Sequence, residues 1–345
     1  MNNHIKYEQL VSEVLGNISN PRTRDILSLR FGLKDGQRKT LEAIGQKHGI
    51  TRERVRQVEE AAFSELKKPA VVKYLQPAFN SINNFLSQEG QLVREERLLS
   101  ELTNTDSPHP SQGALFFILT LGSSYQRFVE SDGFHSYWTN SKNTLDRAQK
   151  AITTLVKKLE KNQEPVSFDY VLSSSKGIGV SLSKKALLSY LDATKQISQN
   201  TFGQFGLVKW PEINPRGAKD KAYIIFKKQS RPLHFREVTE LINQANLGTN
   251  LAQAQTVHNE LIKDDRFILV GRGTYALKEW GYQSGTIKDV IVQTLSENGS
   301  LGKDQILDKV LKSRLVKKNT VLINLQNRQY FSKEKDGKYS LVNKK

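Results

Sequence analysis

The sequence predicts a mainly α-helical protein with small β-hairpin wings, in which an N-terminal helix-turn-helix precedes tandem winged-helix domains. The first observation is a run of three amphipathic helical patterns, separated by glycine turns, within residues 21–69. The second is an aromatic-rich hairpin pattern that recurs about every 70 residues after helical stretches. We therefore expect five domains, at residues 1–70, 76–140, 146–212, 220–282 and 284–345.

The recurring hairpin pattern occupies residues 125–138, 195–210, 265–280 and 327–341. Asp132-Gly133 and Asp336-Gly337 are strong hairpin signals, and the pair Gly271 and Gly273 supplies the same freedom at positive φ. Three apolar helical patterns precede the last hairpin, with Val290, Val310 and Val321 as representative inward positions. Three helices followed by a hairpin form the winged-helix layout.

Composition favours a polyanionic partner, because the net charge is +17 and the last 125 residues carry 22 Lys or Arg against 12 Asp or Glu. No apolar run approaches the roughly 18 residues of a membrane-spanning helix, and residues 1–10 lack the apolar region of a signal peptide. We expect a cytoplasmic protein with no membrane partner.

The sequence also argues against an enzyme or a metal protein. It has no cysteine, and no two of its six histidines lie four residues apart. The segment Gly177-Ile-Gly179 lacks the spacing of a phosphate-binding loop, and no nucleophile, base and orienting group stand in an evident pattern. We expect no catalytic residues, no metal, no cofactor and no small-molecule substrate.

Local signals place the helices of residues 21–69. Pro21 suits a first turn, Thr40 caps a second helix that Gly49 ends, and Thr51 caps a third. The buried stripe of the third helix contains Val55, Val58, Ala62 and Leu66, and its outward side contains Arg52, Glu53, Arg56, Gln57 and Glu60. Arg, Gln and Glu side chains in the first turns of such a helix are suited to contact base edges in the major groove.

This segment resembles region 4 of bacterial primary-type sigma factors, through the residues RFGL at 30–33, TLEAIG at 40–45 and TRERVRQVE at 51–59. The resemblance implies that Arg52, Glu53, Arg56 and Gln57 contact the upstream promoter element and that Thr51 touches phosphate. It also implies that the face formed by Arg30, Phe31, Gly32 and Leu33 approaches the flap of the RNA polymerase β subunit. Region 2 of these factors, which melts the −10 element, has no counterpart here.

Residues 222–282 resemble the HARE-type winged-helix family through PLHFREV from residue 232, TVHNELI from residue 256 and GRGTYALKEW from residue 271. The resemblance implies association with nucleic acid or polymerase, without assigned residues. In the last domain, Lys317, Lys318 and Asn319 begin the third helix, where lysines would meet phosphates and either Asn319 or Asn324 a base edge. The alternative, given equal weight, is that these residues form a basic surface that only keeps the protein soluble.

The first hypothesis is a monomeric transcription-initiation factor that binds double-stranded promoter DNA and RNA polymerase. The second is an adaptor, similar to the polymerase delta subunit, that binds polymerase without reading sequence. The third is a DNA-binding subunit of a restriction system, which depends on the HARE resemblance alone.

Overall fold

The computed structural model describes residues 5–175, 182–247, 250–283, 285–314 and 316–342, so the Gly177–Gly179 segment lies outside the described residues. The chain divides into two compact units, residues 1–198 and 199–345. Most described elements are helices, and the strands form small antiparallel sheets, which confirms the predicted fold class. No helix among these residues has the length and apolarity that crossing a bilayer requires.

The first unit begins with four helices, and the last three are the predicted helix-turn-helix. They are α1 (Tyr7–Leu15), α2 (Pro21–Phe31), α3 (Leu41–His48) and α4 (Arg52–Leu66). The side chain of Asn20 caps α2 by accepting a hydrogen bond from the backbone N–H of Arg22, and Gly32 ends the helix at a φ of 65°. The additional helix α1 was not predicted.

A complete winged helix follows in the same unit. Its elements are α5 (Pro69–Val72), a 3-10 turn (Lys73–Leu75), α6 (Gln76–Gln88), β1 (Leu92–Arg94), α7 (Glu95–Thr103), α8 (Pro110–Leu121), β2 (Gln126–Phe128) and β3 (Tyr137–Thr139). The sheet order is β1-β3-β2, with Val93 and Arg127 both opposite Trp138. The hairpin lies at the predicted place, whereas β1 is too short to leave an alternating pattern in the sequence.

A second helical triplet consists of α9 (Thr144–Asn162), α10 (Phe168–Ser175) and α11 (Lys184–Ala193). The strands β4 (Ile197–Gln199) and β5 (Phe205–Leu207) follow it, and the division between the two units falls within β4. The side chain of Ser183 caps α11 by accepting from the backbone N–H of Ala186.

The second unit contains two further winged helices. The first has α12 (Gly217–Gln229), β6 (Leu233–His234), α13 (Phe235–Gln244), α14 (Ala254–Lys263), β7 (Phe267–Gly271) and β8 (Thr274–Leu277), with sheet order β6-β8-β7. The second has α15 (Ile287–Asn298), α16 (Lys303–Ser313), α17 (Lys318–Leu325), β9 (Phe331–Lys333) and β10 (Tyr339–Leu341). Leu301 bridges Tyr339 and so takes the place of the first strand.

The core of the first unit joins the helix-turn-helix to the winged helix that follows it. One cluster of buried apolar residues runs from Tyr7 in α1 to Trp138 in β3. At its centre, the Phe31 ring lies 5.5 Å from the Phe63 ring and 5.0 Å from the Phe117 ring of α8. The predicted boundary at residues 70–76 therefore lies inside a shared core.

The backbone of α8 contacts the end of α2 directly. A Cβ atom on Gly113 would lie 2.5 Å from the carbonyl oxygen of Phe31 and 2.6 Å from that of Gly32. Both distances are far shorter than a van der Waals contact, so only glycine permits the two segments to pack this closely.

We predict that Gly113→Ala destabilises the protein even though alanine is the better helix former by about 1 kcal/mol. The added methyl group forces α8 away from two backbone carbonyls, and overpacking of this kind costs about 1–3 kcal/mol. Urea unfolding measures the change. Gly133→Ala is the control, because the nearest atom to its added Cβ is a side-chain nitrogen of Gln196 at 3.4 Å. Equal stability of the two variants would contradict the close packing.

A buried carboxylate also links these segments. Glu95 at the start of α7 is 7% exposed. It accepts hydrogen bonds from Arg127 (Nη2–Oε1 3.0 Å), from Trp138 (Nε1–Oε2 2.9 Å) and from Arg38 of the α2–α3 loop (Nη2–Oε1 3.3 Å). Burial acts to raise the pKa of Glu95, but the two guanidinium groups and the indole N–H outweigh it, so that the pKa is lowered.

The lowered pKa predicts acid sensitivity. The stabilisation from ionised Glu95 is complete above the unfolded-state pKa, about 4.3, and is lost as the pH falls through the lower folded-state value. We expect the free energy of unfolding to depend less on pH in this acidic range in Glu95→Gln than in the wild type. Denaturant melts below about pH 5 measure this. Glu42→Gln at an exposed site is the control, and should leave the wild-type dependence unchanged.

Candidate nucleic-acid interface

The helix-turn-helix has a small apolar core that holds α4 against α3. Ile26, Ile44 and Val55 are each buried and form one cluster between α2, α3 and α4. The turn between α3 and α4 is tight, since Gly49 has a φ of 64° and a Cβ on Gly45 would lie 2.6 Å from the carbonyl oxygen of Ile50. The geometry is that of a helix-turn-helix in which α4 is the recognition helix.

The side chains at the start of α4 lie on its solvent side. Thr51 Oγ1 accepts a hydrogen bond from the backbone N–H of Arg54 at 3.2 Å and so caps the helix, as the sequence predicts. The predicted base-contacting residues are all exposed, and they are Arg52, Glu53, Arg56 and Gln57. Arg54, which the sequence analysis omitted, is also exposed and donates to Gln57 Oε1 at 3.1 Å. The structure thus brings these residues together on one surface.

Arg56 lies between two carboxylates of its own helix. Its Nη2 lies 2.7 Å from Glu53 Oε1, and its Nη1 contacts Glu60 one turn later. Hydrogen bonding to Arg56 lowers the pKa of Glu53, and the hydrogen bond with Glu53 in turn raises the pKa of Arg56, so both groups are charged at neutral pH. A ligand that accepted hydrogen bonds from the Arg56 guanidinium would have to displace one of these two carboxylates.

The predicted polymerase-contacting residues have different environments. Phe31 is 3% exposed and belongs to the shared core, and Gly32 lies against Gly113 of α8. Arg30 is partly exposed and pairs with Glu59 (Nε–Oε2 3.2 Å), while Leu33 is partly buried. Arg30 and Leu33 therefore offer surface to a partner, but Phe31 does not while α8 is in place.

The basic residues of the last winged helix are also at the surface. Lys317, Lys318 and Asn319 are exposed at the start of α17. Within the described part of the chain, Lys317 and Lys318 form no ion pair with an acidic side chain, in contrast to Arg56. Sequence analysis did not identify Ile323, which is 66% exposed on the same helix.

Comparison with known families identifies two helix-turn-helix domains in this chain. Residues 20–68 match the family model of sigma-70 region 4. Residues 218–280 match that of the HARE-HTH family, a helix-turn-helix domain whose name refers to ASXL proteins and restriction endonucleases. Both families are DNA-binding domains. The matches confirm the two resemblances inferred from the sequence.

The similar proteins are sigma factors, matched over the N-terminal domain. Identity is 44% over 66 residues to the RNA polymerase principal sigma factor HrdD of Streptomyces coelicolor. It is 55% over 56 residues to the RNA polymerase sigma factor SigA1 of Synechococcus elongatus, and 43% over 75 residues to the RNA polymerase sigma factor SigA of Listeria monocytogenes. These alignments cover 16–21% of this chain and 14–20% of the relatives. The sigma-like character therefore holds for one domain.

The pairing of Arg56 predicts a measurable restraint on DNA binding. Glu60→Gln removes one carboxylate from beside Arg56 on the exposed side of α4. If this side binds DNA, we expect affinity for duplex DNA to rise about threefold at low salt. Glu65→Gln is the matched control, because it makes the same charge change at an exposed position of α4 with no contact to Arg56. Fluorescence anisotropy compares the two variants. An equal gain in both would mean that only net charge matters.

Proposed function

We propose that this protein is a DNA-binding transcription-initiation factor that recognises an upstream promoter element through α4 and associates with bacterial RNA polymerase. The observation that carries the proposal is the capped helix α4, held on α3 by a buried apolar cluster, with Arg52, Glu53, Arg56 and Gln57 exposed together on its first turns. The match of residues 20–68 to sigma region 4 supports the same assignment.

Each proposed role follows from the chemistry of its side chain. Arg52 and Arg56 have the planar donor fork that matches guanine O6 and N7, Gln57 can bond adenine, and Glu53 can accept from cytosine N4. Thr51 lies at the helix start, where a hydroxyl and the backbone N–H groups meet a phosphate. Lys317, Lys318 and Asn319 supply a second DNA contact, in which the lysines neutralise phosphates.

Polymerase association is proposed from the sigma resemblance, through the β flap. The partly exposed members of the predicted face are Arg30 and Leu33, at the end of α2 and just beyond it. Because Phe31 is buried under α8, a flap contact that includes its ring requires α8 to move, whereas a contact with Arg30 and Leu33 does not.

A second candidate function is the polymerase-binding adaptor that does not read sequence. The observation that favours it is the pairing of Arg56 with Glu53 and Glu60, which occupies the guanidinium that base reading needs. Exposed pairs of this kind are weak and are screened by salt, so they yield to a base in the groove. We therefore place promoter recognition first.

We predict that Arg56→Ala and Gln57→Ala each reduce the preference for a duplex containing a −35-type hexamer over a scrambled duplex, by roughly tenfold for each base contact that the substitution removes. The reason is that phosphate contacts hold both duplexes equally, while base contacts hold only one. Anisotropy titrations across a salt series measure the preference.

The matched control is Arg24→Ala, which removes an arginine of α2 rather than of the recognition helix. It should lower affinity for both duplexes equally or not at all. If the unaltered chain binds the two duplexes with equal affinity and binds core polymerase, the adaptor function replaces the promoter-reading one.

A further inference from the structure

The third helix of a winged helix is the element that enters the major groove, and the winged helices of this chain differ in whether that helix is free. In α8, Leu115, Phe117, Ile118 and Leu119 are all fully buried. The helix α11 is covered on the side of Ser189, whose fully buried Oγ donates to the carbonyl of Leu92 at 2.6 Å. Its exposed side carries Lys184, Lys185 and Leu188, and Lys185 pairs with Glu89. The helices α14 and α17 each present one side to solvent.

Charge distinguishes α17 from α14. Residues 309–333 contain seven Lys or Arg and no Asp or Glu, so no carboxylate stands on α17 or beside it in the chain. Lys333 and Lys335 of the adjoining wing are exposed as well. In α14 the amide of Gln255 is bonded to that of Asn259 at 3.2 Å, and Asp264 and Asp265 follow the helix. Of the two free helices, α17 is the one suited to a polyanion.

The outward face of α17 combines an amide with an apolar side chain. Asn319 and Ile323 are four residues apart and so lie on one side of the helix, away from the inward-facing Val321 and Leu325. Ile323 is 66% exposed. The side-chain amide of Asn324 donates to the carbonyl of Thr320 at 2.8 Å, whereas Asn319 has no side-chain hydrogen bond within the described residues.

We propose that α17 is a second base-reading helix whose ligand is double-stranded DNA with A·T pairs in the major groove. The Asn319 amide pairs with N6 and N7 of adenine, which is the bidentate contact that asparagine makes, and Ile323 covers the C5 methyl group of thymine. Lys317 and Lys318 at the helix start and Lys333 and Lys335 on the wing bind the flanking phosphates. This site extends the second DNA contact from phosphate binding to base reading, and its chemistry is independent of α4.

The test uses the full chain carrying Arg52→Ala, Glu53→Ala, Arg56→Ala and Gln57→Ala, so that the proposed base contacts of α4 are all removed. The probes are duplexes of alternating A and T, of alternating A and U, and of alternating G and C. Uracil differs from thymine only by the missing methyl group, so it isolates the Ile323 contact. We expect the A·T duplex to bind about threefold more tightly than the A·U duplex and roughly tenfold more tightly than the G·C duplex.

Substitutions on α17 then assign the contacts. Ile323→Ala should remove the difference between the A·T and A·U duplexes, and Asn319→Ala should remove most of the difference from the G·C duplex. Ile262→Ala is the matched control, since Ile262 is 63% exposed on the third helix of the neighbouring winged helix. It should change none of these ratios. Lys317→Ala should weaken all three complexes equally and reduce the salt slope by about one.

The parent chain in this test is the one with the α4 substitutions and an unaltered α17. If it binds the A·T and G·C duplexes equally, the proposal is overturned and only phosphate contacts are left at α17. Retention of the A·T over A·U difference in Ile323→Ala would overturn the role of Ile323. Asn319→Ala and Ile323→Ala both replace exposed side chains, and thermal melts establish that these variants are folded. Because the parent chain lacks the α4 contacts, neither result depends on promoter recognition by α4.

Discussion

The close approach of α8 to the end of α2 is the contact on which the first unit depends. Gly113 permits it, and the rings of Phe31, Phe63 and Phe117 fill the space beside it. A larger residue at position 113 would separate two backbones that now lie in contact, and the aromatic cluster would lose its packing with them. The helix-turn-helix thus obtains much of its core from the winged helix that follows it, and α4 is presented by a larger rigid body than its own residues could form.

The burial of α8 explains why the winged helices of this chain can have different roles although their folds are similar. A third helix that is apolar on all sides, as α8 is, cannot face DNA and instead becomes a core element. The helix α11 packs one side in the same way, with Ala186 against Gly90 and Tyr190 donating to the Gly90 carbonyl at 3.1 Å. Where the third helix keeps a polar side, as in α17, the fold retains a surface for a ligand.

Sequence patterns predicted those elements whose signals are local. Thr40, Gly49 and Thr51 define the ends of α3 and α4 through capping and positive φ, and these ends lie where the pattern places them. The packing of Phe31 against α8 was not predicted, because α8 lies about 80 residues further along the chain. The strands β1 and β6 were missed since two or three residues are too few for an alternating pattern.

For the candidate site too, local signals were sufficient for some residues, and packing between segments decided the others. Residue type and helical spacing identified four residues as solvent-exposed, because the apolar stripe of a capped amphipathic helix determines which side faces solvent. They are Arg52, Glu53, Arg56 and Gln57. Ile323 could not be told from a core residue in that way, since an apolar residue in a helical pattern is more often buried. Its exposure follows from the packing of Val321 and Leu325, which turns the opposite side of α17 to solvent.

Two modest DNA contacts on one chain act together even when neither is strong. After one contact forms, the other meets the same duplex at an effective concentration set by the connecting chain, so the combined affinity exceeds that of each alone. The charge distribution suits this arrangement, because two carboxylates of α4 restrain Arg56, while residues 309–333 around α17 contain no Asp or Glu. Phosphate binding at α17 would hold the chain on DNA, and the restrained Arg56 of α4 would favour only the duplex whose bases displace its carboxylate partners.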